Sequence, residues 1–212
     1  MAQPLLVLGT RTFAVQVADV ALDAGFEVAG FVENRDQERC REDLEGLPVH
    51  WVDDIAGMSA THVAIAGLAT TQRSFFVDQV VAFGFHFATV IHPSAIISRS
   101  STVGEGSIVC ASVTIAARTT VGSHVLVNRG VMIGHHTEIG DYATLQPGAN
   151  VAGMCCIGTT AFVGMGALVL DHLSVAPGAI VGAGAVVTKD VPAGVQVVGV
   201  PARIVREGVE PR

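Results

Sequence analysis

The sequence predicts two folds in tandem: an α/β domain over residues 1–90, then an all-β parallel β-helix over residues 91–212. Three observations predict this. An aliphatic residue recurs at every sixth position from Ile91 to Val187, through Val103, Ile115, Val127, Ile139, Val151, Val163 and Val175 among others. Four residues after nearly every one stands a small or thin side chain, such as Ala95, Ser101, Thr119, Thr137, Ala149, Cys155 or Ala185. Before residue 91, short apolar runs alternate with stretches of helical spacing. A helix repeats every ~3.6 residues and a strand every ~2, so neither explains a sustained period of six. Such a period marks a solenoid of parallel strands.

In the first domain, Leu5-Leu6-Val7-Leu8 reads as a buried strand, with a turn at Gly9-Thr10. Phe13, Val17, Val20, Ala21 and Ala24 lie at helical spacing over residues 12–24, and Gly25 stops the helix. Phe26 to Val32 is a second strand, ending at Glu33-Asn34; Pro48 to Val52 is a short third and Thr61 to Ala66 a fourth. Ser74 to Phe83 is a helix closed by Gly84, and Phe85 to Ile91 one more strand. Strands alternating with helices imply a parallel sheet covered by helices, a small Rossmann-like domain.

From His92-Pro93-Ser94-Ala95 the hexads take over. Glycine clusters at their second position (Gly104, Gly122, Gly134, Gly140, Gly158, Gly164, Gly182), which predicts a sharp turn needing glycine's dihedral freedom. Three hexads per coil give roughly five to six coils, and a strand spacing of ~4.8 Å makes a prism roughly 27 Å tall.

Composition narrows the function. The chain has 212 residues and is 50% hydrophobic, with a mean hydropathy of +0.54. No apolar run approaches the ~18 residues of a membrane span, and no signal peptide is read at the N-terminus. Cys40, Cys110, Cys155 and Cys156 have neither disulfide nor metal spacing, so free thiols in a reducing cytoplasm are expected. A net charge of -7 without a basic patch argues against nucleic acid.

The hexads, written [Ile/Leu/Val]-Gly-x-x-small-x, resemble those of hexapeptide-repeat acyltransferases. Four segments narrow the resemblance: Leu5 to Gly9, Ile91-His92-Pro93-Ser94-Ala95, Val127-Asn128-Arg129-Gly130 with Ile133-Gly134-His135, and Val198-Gly199-Val200-Pro201-Ala202-Arg203. Over its whole length the chain resembles the sialic-acid O-acetyltransferase and nucleotide-amino-sugar N-acetyltransferase family of bacterial surface-glycan pathways. The resemblance implies a left-handed β-helix, a homotrimer with active sites between neighbouring prisms, acetyl-CoA as cosubstrate, and a sugar or nucleotide-sugar acceptor.

It also implies roles for residues. Acyl transfer needs a base for the proton of the attacking amine or hydroxyl, and a histidine titrates in the right range. His135 matches the family's general base; read without the family, it is a polar residue on a solenoid corner. Where the family has Asp or Glu next, this chain has His136, a second catalytic histidine or a solvated neighbour. Glu138 or Asp141 are candidates to supply the missing charge. One coil is ~18 residues, which puts Gly153 one strand spacing above His135. The matching backbone N–H in the family holds the thioester carbonyl, as an amide can for a developing oxyanion. Asn128 matches a position near the acceptor, or bonds its own turn. Lys189 and Pro201 lie where coenzyme A runs up the prism. In the first domain, relatives carry a glycine-rich turn with a histidine; here it is Gly9-Thr10-Arg11-Thr12-Phe13-Ala14. A pyrophosphate is expected at that helix N-terminus and Arg11, with Glu33 or Asn34 accepting from a ribose or base.

Two other classes share the scaffold. A γ-class carbonic anhydrase needs a zinc pattern of His, four residues, His, which His124, His135, His136 and His172 do not give. A non-catalytic binding module would show a flat threonine face, and the threonines here are scattered.

Overall fold

The computed structural model describes residues 3–210. It contains two compact units: one runs to Ala69 and resumes over Arg73–Pro93, and the other comprises Thr70–Gln72 and the chain from Ser94 onward.

In the first unit, β1 (Leu5–Leu8), β2 (Val28–Glu33), β3 (Val49–Trp51) and β4 (Val63–Ala66) form a parallel sheet in the order β3-β2-β1-β4. The central β1 is apolar at every position because both of its faces are covered. Helix α1 (Thr12–Asp23) turns Ala14, Val17, Ala18, Val20 and Ala21 inward, and Gly25 ends it with φ +86°. Helix α2 (Ser74–Val81) buries Phe76, Val77 and Val80. Gly67 lets β4 turn tightly against α1: a Cβ there would lie 2.9 Å from the Cα of Ala14. Phe85 to Ile91 is not the strand expected. Phe87 makes one isolated bridge to Ala64, and strand geometry returns only at Val90–Ile91. Phe85 and Phe87 are buried as side chains, so their hydrophobicity reflects packing and not a ladder.

In the second unit each hexad contributes a two-residue strand, and strands eighteen residues apart pair in parallel register, as Val103↔Val121↔Ile139↔Ile157↔Val175. The aliphatic column and the small residues fill a continuous interior from Val109 to Val197. The residues just before the aliphatic ones point outward and give the three walls different characters. Thr102, Thr120, Glu138, Cys156 and Ser174 are exposed and mostly polar; Ile108, Leu126, Thr144, Phe162 and Ile180 are buried; Ile96, Met132 and Leu168 form an exposed apolar column with Thr114, Asn150 and Val186.

The second-position glycines serve a purpose other than the one expected. Their φ angles are not left-handed. A Cβ on Gly134 would instead lie 2.4 Å from the Gly153 nitrogen, and one on Gly140 2.5 Å from that of Thr159. They let adjacent coils touch backbone to backbone. Left-handed backbone falls two residues further on, at Gly130, Gly148, Gly166 and Gly184 on one corner, but at Arg118, His136, Met154 and His172 on another.

Candidate active site

That second corner carries the chemistry. His135 and His136 are both exposed, and their Nδ1 atoms lie 3.0 Å apart with the rings edge to face. One of the two nitrogens carries the hydrogen and the other accepts it. His136 reaches this position because its φ is +55°, which swings its ring back toward its neighbour. The coil above places Gly153 over His135: the Met154 N–H bonds the His135 carbonyl at 2.8 Å. A Cβ on Gly153 would lie 2.9 Å from His135 Cε1 and 3.0 Å from Nε2, so the imidazole occupies the space a side chain would take. Neither His135 Nε2 nor the Gly153 N–H forms a hydrogen bond among the described residues. Asp171 sits one further coil up, 3.7 Å from His172.

Within its own chain neither candidate acid reaches His135, which leaves the reading of support from a neighbouring subunit untouched. Asp141 turns into the next corner, where Oδ1 accepts from the Ser123 N–H at 2.7 Å. Glu138 lies exposed on the polar wall between Thr120 and Cys156. Asn128 is buried, and its Oδ1 accepts from the Arg129 N–H at 2.8 Å, so its side-chain carbonyl belongs to its own turn. At the last coil, exposed Lys189 lines a cavity of about 380 Å³ together with Asp190, Pro192, Ala202 and Arg203; Pro201 is exposed in the adjoining turn. Among the described residues no three His, Cys, Asp or Glu side chains converge as metal ligands. Burial pushes the Cys110 thiol up to about 11, and raises Cys155 as well.

The first unit holds a second cluster. Gly9 turns with φ +108°, and exposed Arg11 is the N-cap of α1 without a side-chain capping bond. Thr10 and Glu33 are buried against each other, the Thr10 hydroxyl donating to Glu33 Oε2. Glu33 Oε1 accepts from the N–H groups of Asn34, Arg35 and Asp36 at 3.0, 2.8 and 3.4 Å. Burial raises the Glu33 carboxyl, but these bonds outweigh it and the net direction is down. The Asn34 amide donates to Gln79 on α2 at 3.1 Å. Thr10 also lines a cavity of about 500 Å³ with Asp36, Arg39, Arg41, Leu44 and Val49. Arg39, unremarked in the sequence, donates to the Thr10 carbonyl at 3.2 Å; no motif marks it, because the 3₁₀ turn Gln37–Arg41 that carries it is too short to show a period.

A family model described as bacterial transferase hexapeptide (six repeats) matches residues 118–153, the segment that contains the His135 corner. No curated protein matches the chain. Solved structures match nearly all of it. A perosamine N-acetyltransferase mutant from Caulobacter crescentus, in complex with CoA and GDP-perosamine, is 28% identical over 98% of this chain and 99% of its own, with a TM-score of 0.90. The acetyltransferase domain of PglB from Neisseria gonorrhoeae, in complex with acetyl coenzyme A, is 27% identical over 97% of this chain and 100% of its own, with a TM-score of 0.89. WeeI from Acinetobacter baumannii is 30% identical over 96% and 100%, with a TM-score of 0.87. The repeats, the His135 corner and these full-length likenesses agree. The prism is a left-handed β-helix, and the chain belongs to the hexapeptide-repeat acyltransferases, in the family of sialic-acid O-acetyltransferases and nucleotide-amino-sugar N-acetyltransferases.

Proposed function

We propose that this protein transfers the acetyl group of acetyl-CoA to the amine of a nucleotide-linked sugar, with His135 as general base. The carrying observation is the pairing of His135 with Gly153: an imidazole whose Nδ1 is engaged and Nε2 open, seated beneath a backbone N–H that has no partner among the described residues. The acceptor nitrogen attacks the thioester carbonyl, and Nε2 takes the proton it loses. The Gly153 N–H faces the oxygen that becomes negative. The carbon–sulfur bond then breaks, and the thiolate leaves with the proton returned by His135. An amine is favoured over a hydroxyl because full-length likenesses include a perosamine N-acetyltransferase in complex with CoA and GDP-perosamine.

The first unit, with its parallel order β3-β2-β1-β4 and a glycine turn after β1, is read as a Rossmann-like acceptor domain. The cavity beside Thr10 and Arg39 takes the nucleotide, with Arg11 near the phosphates; Lys189 and Pro201 border coenzyme A. The exposed apolar wall supports a homotrimer, since its strands run directly into the His135 corner. Four free cysteines fit a cytoplasmic enzyme.

Release of free thiol from acetyl-CoA with GDP-perosamine as acceptor tests this reading. Wild type releases thiol only when the amino-sugar is present, and His135→Ala lowers turnover roughly 10²–10⁴-fold while circular dichroism stays unchanged. Undiminished turnover in His135→Ala removes the base assignment.

A further inference from the structure

The turn that carries Gly153 is held differently from most of its counterparts. In the alanine-bearing turns the fourth residue closes directly on the first: Ala143 N–H to Gly140 O at 3.3 Å, Ala149 to Gln146 at 3.0 Å, Ala161 to Gly158 at 3.1 Å, Ala179 to Ala176 at 3.1 Å. In the turn Ala152–Cys155 a hydroxyl from the coil below stands between these two ends. Thr137 Oγ1 donates to the Ala152 carbonyl at 3.1 Å and accepts from the Cys155 N–H at 3.3 Å. Thr137 is fully buried, so water does not compete for either bond.

Other polar groups of this turn are engaged too. The Gly153 carbonyl accepts from the His172 N–H at 3.1 Å, and the Met154 N–H bonds the His135 carbonyl at 2.8 Å. Among the described residues the turn's one backbone N–H without a bond is that of Gly153. A trans peptide is planar, with its C=O and N–H on opposite sides. Drawing the Ala152 carbonyl into the prism therefore turns the Gly153 N–H out of it, toward the face where His135 lies.

We infer that Thr137 is a positioning residue for acetyl transfer: its buried hydroxyl fixes the Ala152–Gly153 peptide plane and so aims the Gly153 N–H at the thioester oxygen. The inference rests on the function proposed above. It adds an interior residue, which touches neither substrate nor cofactor, to the set that determines rate. Thr137 belongs to a ladder of like groups. Ser101 Oγ donates to Ala116 O at 2.7 Å and accepts from Thr119 N at 2.9 Å, Thr119 Oγ1 donates to Gly134 O at 2.8 Å, and Cys155 Sγ donates to Leu170 O at 3.1 Å. Ser101 makes the same two bonds two coils below Thr137, at a turn without a catalytic histidine, and so provides an internal control.

The test compares steady-state turnover of acetyl-CoA with GDP-perosamine in four variants of the full chain. Thr137→Val keeps the shape and removes the hydroxyl; its kcat falls roughly ten- to a hundredfold, the cost of a misaimed oxyanion donor. Thr137→Ser restores kcat to within about threefold of wild type. Ser101→Ala loses equivalent bonds and stability yet keeps the wild-type kcat. Thr137→Cys uses the residue the chain itself places next in the ladder, so it folds where valine does not, and its kcat is intermediate because a thiol donates weakly. The KM for the acceptor does not change across the series. Wild-type kcat in Thr137→Val, or in Thr137→Cys where valine fails to fold, overturns the inference; so does an equal loss in Ser101→Ala. A wild type that is inactive with amino-sugars, or a His135→Ala variant at full rate, overturns the underlying reading instead.

Discussion

His136 sits at a left-handed backbone position, where a β-carbon costs about 1 kcal/mol and glycine costs nothing. Arg118, Met154 and His172 occupy the same position in neighbouring coils, so the side chain alone implies nothing; what distinguishes His136 is its 3.0 Å contact with His135 Nδ1. In the proposed mechanism Nε2 of His135 accepts a proton, which requires a hydrogen on its Nδ1 and makes His136 Nδ1 the acceptor for that hydrogen. The support is neutral, so it orients the base without lending it negative charge. The prediction separates orientation from backbone effects. His136→Gly suits the dihedral and loses the acceptor, and its kcat falls roughly tenfold or more. His136→Asn tolerates the left-handed backbone and returns an oxygen near the place of Nδ1, keeping most of the activity. His136→Glu adds the missing charge and turns over at least as fast as wild type. A glycine variant at full rate reduces His136 to a corner residue. The sequence offered His136 as a second catalytic histidine in place of the family's acid, or equally as a solvated neighbour; the contact that separates the two depends on a positive φ that no motif announces.

Among the elements, the turn between β1 and α1 is fastened from the far end of β2. Glu33 closes its own chain reversal through three backbone N–H groups and reaches the Thr10 hydroxyl, so both carboxylate oxygens are occupied. A ribose hydroxyl approaching Glu33 has to compete with these bonds, whereas Arg39 and Arg41 line the neighbouring cavity. Because the folded carboxyl titrates below its unfolded value, the stability it contributes is fully present above the unfolded pKa of about 4.3 and is lost as pH falls through the folded value. Glu33→Gln therefore loses stability at neutral pH and shows a shallower decline in melting temperature on acidification than wild type. Parallel pH–melting curves for the two proteins would contradict the assignment. The elements that the sequence revealed are α1 and every hexad, in which one face repeats, and β1, an unbroken apolar run buried on both faces. Phe85 to Ile91 misled because apolar side chains pack without a ladder. The irregular stretch between β2 and β3, with its short 3₁₀ turn Gln37–Arg41, left no period to read. The hexad glycines were visible, but the close approach that requires them is a contact with the next coil.

For the molecule as a whole, the three walls of the prism differ in kind, and the difference bears on assembly. One wall is wet and polar and one is buried. The third presents Ile96, Met132 and Leu168 at 68%, 48% and 40% exposure in one column. These three stand two coils apart, at roughly 9.6 Å steps, with Thr114 and Asn150 between them, and so exposed an apolar strip is one that a stable monomer rarely leaves in water. The strip borders the active corner: Met132 and Ile133 form the strand that leads through Gly134 to His135. A neighbouring prism seated on it would enclose the proposed base and exclude water, which strengthens electrostatic interactions there and suppresses hydrolysis of the thioester. Leu168→Lys places a charge in that strip without entering the core, since the inward residue of the same strand is Val169. Burying an unpaired ammonium costs several kcal/mol, enough to disfavour association at micromolar protein. Analytical ultracentrifugation should find wild type sedimenting as a trimer and Leu168→Lys as a monomer with an intact far-ultraviolet spectrum. Acetyl transfer should fall together with the trimer fraction and recover when protein concentration is raised. A fully active Leu168→Lys monomer would show that one prism suffices, and that the apolar wall serves some purpose other than completing the site.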